Sequence, residues 1–126
     1  MKVERYRVND KHRKNAAKAE CTQWKVTDFH EIRLFADGQI NGWTCDNNKT
    51  IWSIESVGGQ VTVLGHNGNS DAKLAKFIVD HNNEWHGYPV SPIRSGDKPP
   101  TAILEAWEKK GIISRPERRK INSGKW

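Results

Sequence analysis

One thirteen-residue run, Asp80-His81-Asn82-Asn83-Glu84-Trp85-His86-Gly87-Tyr88-Pro89-Val90-Ser91-Pro92, constrains the chain more than any other. Pro89 and Pro92 lack a backbone donor and Gly87 invites an unusual φ, so neither a regular helix nor a central strand is expected there. The expectation is a shaped loop carrying titratable and stacking groups, with Arg94 just beyond it. Everything before this run and everything after it must then be placed around that loop.

Upstream, residues 24–66 read as strand and turn. Phe29–Phe35 and Gln39–Cys45 flank Ala36-Asp37-Gly38, and Asp-Gly between two such runs is a hairpin signal. Asp46-Asn47-Asn48-Lys49 then leads into Thr50–Glu55, and Gly58-Gly59 opens Gln60–Leu64. The sum is an antiparallel meander of about four strands, with Ile32, Leu34, Ile40, Val61 and Val63 on faces that need cover. Cover is expected from helices. One would be capped by Ser70-Asp71 and carry Leu74, Phe77, Ile78, His81 and Trp85, although Val79 and its neighbours could equally extend as a strand. A second would start at Pro99-Pro100-Thr101, bury Ile103, Leu104 and Trp107, and end at Gly111-Ile112. Ser114-Arg115-Pro116-Glu117 has the form of a capping box opening a short basic helix. The fold class is thus α+β in one domain, 1–126. It comprises a basic arm or exposed helix (1–20), the meander (22–66) and a helical half (70–126) that includes the loop.

Charge is distributed unevenly. Residues 1–20 hold seven Lys and Arg against three acids, residues 98–126 hold eight against three, and the middle is net acidic, within an overall charge of +6. Two basic ends on a mildly acidic body favour a polyanionic partner, though basic termini also serve solubility alone. Cys21 and Cys45 are the only cysteines. They could pair, but two thiols fit a reduced compartment equally well. With no apolar run near the roughly twenty residues that span a bilayer, and no secretory leader pattern, no membrane association is expected and the location is expected to be cytoplasmic.

The leading functional expectation is a small nucleic-acid-binding protein, for RNA or DNA, that contacts phosphates mostly without base readout. Its candidate contacts are Arg5, Arg7, Lys11, Arg13, Lys14, Lys18, Tyr88, Lys110, Arg115, Arg118, Arg119, Lys120 and Lys125. A helix-turn-helix reading of the C-terminus fails on two counts. Trp107 stands where a small residue should precede the turn glycine, and the last helix offers almost no Asn or Gln for base edges. Tyr6, Trp85, Tyr88 and Trp126 are candidates for base stacking, worth ~1–3 kcal/mol each. Trp24, Trp43, Trp52 and Trp107 fall in patterned runs and belong to a core, and Trp85 fits either role.

Two alternatives come from other classes. The first is a metal-independent ribonuclease of the toxin type using His81, Glu84, His86 and Arg94, because histidine titrates near neutrality and arginine can meet a charged phosphorane. Against it, His86 could simply brace the loop and His81 could sit at a helix C-terminus. The second is an inhibitor or adaptor docking on an acidic protein. No metal or cofactor is expected, since no Cys-x-x-Cys, helical His pair, phosphate-binding glycine loop or nucleophile elbow occurs.

Overall fold

A computed structural model describes residues 5–13, 22–68 and 70–126. In chain order the strands and α-helices are β1 (Arg5–Tyr6), β2 (Gln23–Trp24), α1 (Asp28–Ile40), β3 (Thr44–Cys45), β4 (Thr50–Ser53), β5 (Ser56–Val57) and β6 (Gln60–Val61). They continue as β7 (Gly65–Asn67), β8 (Ser70–Ala72), β9 (Leu74–Val79), β10 (Glu84–Val90), α2 (Thr101–Lys109) and α3 (Arg115–Asn122), with 3-10 turns at Asp10–His12 and Ser95–Asp97. The class is α+β. A five-stranded, mostly antiparallel sheet runs β1-β10-β9-β4-β3, beside a small β2-β7-β8 sheet and the β5-β6 hairpin.

The expected hairpin through Asp37-Gly38 is instead helix α1. Thr27 caps it, its hydroxyl accepting the His30 amide at 3.1 Å, and Asp28 and Glu31 lie in the first turn, where the helix dipole favours acids. Glu31, Leu34, Phe35 and Gly38 form its buried face at helical spacing. Gly38 serves close packing rather than a turn. A Cβ there would lie 2.5 Å from Ile51 Cγ2 and 2.6 Å from the Trp52 carbonyl oxygen, so only glycine lets α1 lie this near β4. The positive φ falls later, at Gly42 (70°), after the helix has ended.

The helix expected from Ser70-Asp71 is also corrected. That stretch is β8 followed by β9, the strand alternative noted for Val79 and its neighbours, and His81 lies in the turn after β9 rather than at a helix end. The proline-bearing run is the third correction, because Glu84–Val90 is a strand lying between β1 and β9. Its register explains the tolerance. Trp85, Gly87 and Pro89 pair with Val79, Phe77 and Ala75, while the Trp85 carbonyl accepts from the Arg7 amide and the Gly87 carbonyl from the Trp24 indole. The backbone groups at 85, 87 and 89 therefore face away from β9. β1 pairs only with Glu84 and Trp85, so the missing donor of Pro89 falls beyond its end.

Alternation along the strands makes two cores. Ile51, Ala75, Phe77 and Trp85 face α1 and pack with Leu34, Phe35, Trp24 and Leu64. Trp52, Leu74 and Val90 face the other way and pack with Ile103, Leu104, Trp107, Ile113 and Ile121 of the C-terminal helices. Here the sequence expectation holds. α2 buries Ile103, Leu104 and Trp107, Gly111 adopts φ 76° with the Ile112 amide bonded to the Trp107 carbonyl, and Ser114 and Glu117 complete a reciprocal capping box. Trp24, Trp43, Trp52, Trp85 and Trp107 are all buried.

Candidate functional site

The C-terminal helices cover only one end of their face of the sheet. On that face the side chains of β10, β9 and β4 run in two cross-strand rows: Tyr88, Lys76 and Trp52, then His86, Ile78 and Thr50. Tyr88 packs beside the core that these helices cover, and among the described residues none from α2 or α3 lines the hollow around His86 and Tyr88. A cleft of about 290 Å³ opens there, lined by Asn9, Lys11, His12, Ile78, His86, Tyr88, Arg94 and Asp97 among others. A second hollow of about 260 Å³, lined by Arg7, Val8, Asn9, Glu84 and His86, shares Asn9 and His86 with the first. The two make one trough across the edge of the sheet.

His12 forms its wall. The 3-10 turn Asp10–His12 is held to β2 by the Gln23 side-chain amide, which donates to the Lys11 carbonyl at 2.9 Å. The imidazole is buried and stacks on Tyr88, with ring centroids 5.1 Å apart and 15° between planes. Its Nδ1 lies 2.7 Å from the Thr22 carbonyl oxygen. A carbonyl can only accept, so the proton resides on Nδ1 and the lone pair of the neutral ring on Nε2. Burial drives the His12 pKa below the ordinary histidine value, opposed by the Thr22 bond and assisted by Lys11 and His86. Burial, then the nearby Asp97 carboxylate, raise the Tyr88 hydroxyl.

Among the described side chains lining the trough, cations outnumber free carboxylates. Lys11 and Arg94 are exposed, and among the described residues neither makes an ion pair. Asp97 is engaged by Lys76 at 3.7 Å, and the Lys76 ammonium also donates to the Gly96 carbonyl and lies over the Trp52 ring. Glu84 faces Arg7 at 3.9 Å.

Of the four residues proposed for catalysis from sequence, the fold brings three to this trough: His86, Arg94 and, at its far end, Glu84. His81 is elsewhere. It is exposed in the turn Asp80–Asn83, beside a recess of about 710 Å³ that is lined mainly by that turn and Asn47–Lys49. The turn is fixed by Asp80, whose carboxylate accepts the Glu84 and Asn82 amides; these bonds hold its pKa below the usual value. That recess is larger than the trough, but Lys49, Asp80 and His81 are its only charged or titratable lining groups. His12 was missed. Its sequence neighbours show only a basic arm, and it meets His86 because β1 pairs in parallel with the start of β10.

The proposed phosphate contacts divide. Arg5 and Arg7 are exposed at the sheet edge and Lys11 and Tyr88 line the cleft. Arg13 is committed to structure: it donates to Glu31 at 2.6 Å and to the Val26 carbonyl at 2.6 Å, and pairs with Asp28 at 2.8 Å. Tyr6, a stacking candidate, instead donates its hydroxyl to the fully buried Glu31. Arg118 pairs with Glu108, and Lys110 bonds Asn41 and lies over Trp43. Arg115, Arg119, Lys120 and Lys125 are exposed, and Trp126 packs beside the C-terminal core with Lys73 over its ring. Lys14, Lys18 and the pairing of Cys21 lie outside the described residues.

Among the described residues no three His, Cys, Asp or Glu side chains are grouped to hold a metal ion, and no helix is long and apolar enough to cross a membrane. No protein-family model matches this chain, and no curated protein or solved structure matches it either.

Proposed function

We propose that this is a nucleic-acid-binding protein that seats a phosphate backbone in the trough between the Arg7 edge and Arg94, mainly without base readout. One observation carries the proposal. Lys11 and Arg94 present an ammonium and a guanidinium group without acidic partners among the described residues in the cleft, and Arg5 is exposed on the neighbouring edge strand. The nearby acids do not cancel them, because Asp97 and Glu84 already face Lys76 and Arg7. Arg115, Arg119 and Lys120 of α3, whose Ile121 packs into the core on the same side of the sheet, are further exposed cations. Shallow, open geometry suits a backbone tracked by charge better than a base inserted into a pocket. A cytoplasmic location belongs to the same proposal, resting on the free Cys45 and the nature of the ligand.

Fluorescence anisotropy with labelled single-stranded RNA and DNA oligonucleotides tests it. Binding to both is expected, with log affinity falling linearly against log salt at roughly 0.7 per phosphate neutralised. Affinity that stays flat from low to moderate salt would remove the proposal.

A further inference from the structure

The trough contains more than cations, and the surplus is two histidines in complementary settings. We propose that the cleft lined by His12, His86, Lys11 and Arg94 is an RNA-cleaving centre, acting through the ribose 2′-hydroxyl without a metal ion; this rests on the nucleic-acid binding proposed above.

His12 is built to accept a proton. The Thr22 carbonyl holds the hydrogen on Nδ1, the stack on Tyr88 fixes the ring, and Nε2 keeps its lone pair. Its depressed pKa keeps the ring in the basic form near neutrality. His86 is half-exposed on the same face of β10 as Tyr88, two residues earlier, which places it roughly 7 Å along the strand from the ring on which His12 stacks. Both imidazoles line the one cleft, so a phosphodiester seated there lies against each of them. Glu84, a further two residues back on the same face, lines the adjoining hollow with His86 and faces Arg7. Lys11 and Arg94 line the same cleft and meet the charge that builds on the phosphoryl oxygens.

The step balances without a co-reactant. His12 Nε2 takes the 2′-hydroxyl proton as that oxygen forms its bond to phosphorus. The bond from phosphorus to the 5′-oxygen of the next nucleotide breaks, and its electron pair leaves with that oxygen. His86, as the general acid, protonates the departing oxygen. The products are a 2′,3′-cyclic phosphate and a 5′-hydroxyl, and the two histidines recover their protonation states by exchange with water. DNA, lacking the 2′-hydroxyl, binds in the same trough and stays intact.

The experiment incubates the full chain in EDTA with an RNA oligonucleotide and with the DNA of the same sequence, while anisotropy follows binding to the DNA. Cleavage of RNA alone, leaving cyclic-phosphate and 5′-hydroxyl ends, is the expected result. His12→Ala and His86→Ala should each slow it on the order of 10²–10⁴-fold, with part of the rate restored by added imidazole. Because His12 is buried, each variant is melted alongside the parent, and His86→Gln at the half-exposed position guards against a folding artefact. Intact RNA with DNA still bound overturns cleavage and leaves the binding proposal standing. Absence of binding to either strand overturns both. Cleavage of the DNA, ends carrying a 5′-phosphate, or RNA cleavage indifferent to His86→Ala and His86→Gln overturns the assignment of this cleft.

Discussion

Two polar constellations lie on opposite faces of the same sheet and differ in whether their valences are filled. On the α1 side, Glu31 is completely buried yet saturated: Tyr6 and Arg13 donate to its two oxygens, and Arg13 is itself held by Asp28 and the Val26 carbonyl. On the other side, His12, His86, Lys11 and Arg94 share a cleft in which, among the described residues, the Nδ1 edge of His12 is bonded to the Thr22 carbonyl while Lys11 and Arg94 make no ion pair. A saturated buried cluster fastens the chain. Here it pins the segment 5–13 to α1 and so sets the wall of the cleft on the far side of the sheet. An unsaturated, accessible cluster leaves donors and acceptors for a ligand.

The sharpest way to break this comparison is to remove the centre of the saturated cluster. Glu31→Ala strips the acceptor from Tyr6 and Arg13 and is expected to cost about 3–5 kcal/mol, as loss of one partner from a buried pair does. Chemical denaturation measures it; a loss below 1 kcal/mol would show that the cluster does not hold the fold. Next comes Gly38→Ala. In an exposed helix this change gains up to about 1 kcal/mol, but a Cβ meeting the Trp52 carbonyl should reverse the sign to a loss of about 1–3 kcal/mol. A stabilised variant would mean that α1 does not lie so close to β4.

The same contrast has a pH signature. Burial raises the Glu31 pKa against the pull of Tyr6 and Arg13, so its contribution to stability is present at low pH and lost as pH climbs through the raised value. Burial lowers that of His12, so its contribution is present above the ordinary histidine value and lost as pH falls toward the depressed one. His12 is faced by Lys11, His86, Tyr88, Arg94 and Asp97 across the cleft. Denaturation midpoints between about pH 4 and 8 should therefore lose a falling component in Glu31→Gln and a rising component in His12→Phe. An unchanged profile in either variant contradicts its assignment. The smallest effect on stability belongs to the cleft cations: Lys11→Ala and Arg94→Ala should stay within about 0.5 kcal/mol of the parent.

Which parts were legible in the sequence follows from the range of the forces involved. The C-terminal helices were readable because their signals are local: a capping box at Ser114 and Glu117, a glycine at the positive-φ position 111, and apolar residues at helical spacing. α1 was misread because Asp37-Gly38 imitates a hairpin turn, while the true purpose of Gly38 is a contact with β4 that no local pattern reveals. Yet Thr27, Asp28 and the spacing of Glu31, Leu34, Phe35 and Gly38 did carry the helix signal. The prolines misled about β10 for a related reason. Whether a missing donor matters depends on which neighbour strand faces it, and here β1 has already ended. At the cleft, His86 and Arg94 were found because they are near in sequence, whereas His12 reaches them only through a parallel pairing of the chain's start with its second half.

The most direct measurement is the salt dependence of single-stranded oligonucleotide binding by the parent, Lys11→Ala and Arg94→Ala. If the open face is a phosphate-binding trough, the parent's log affinity falls steeply with log salt and each substitution lowers the slope by about one contact's worth while leaving the melting temperature in place. Parallel salt plots for all three proteins, or no binding by the parent, would contradict it.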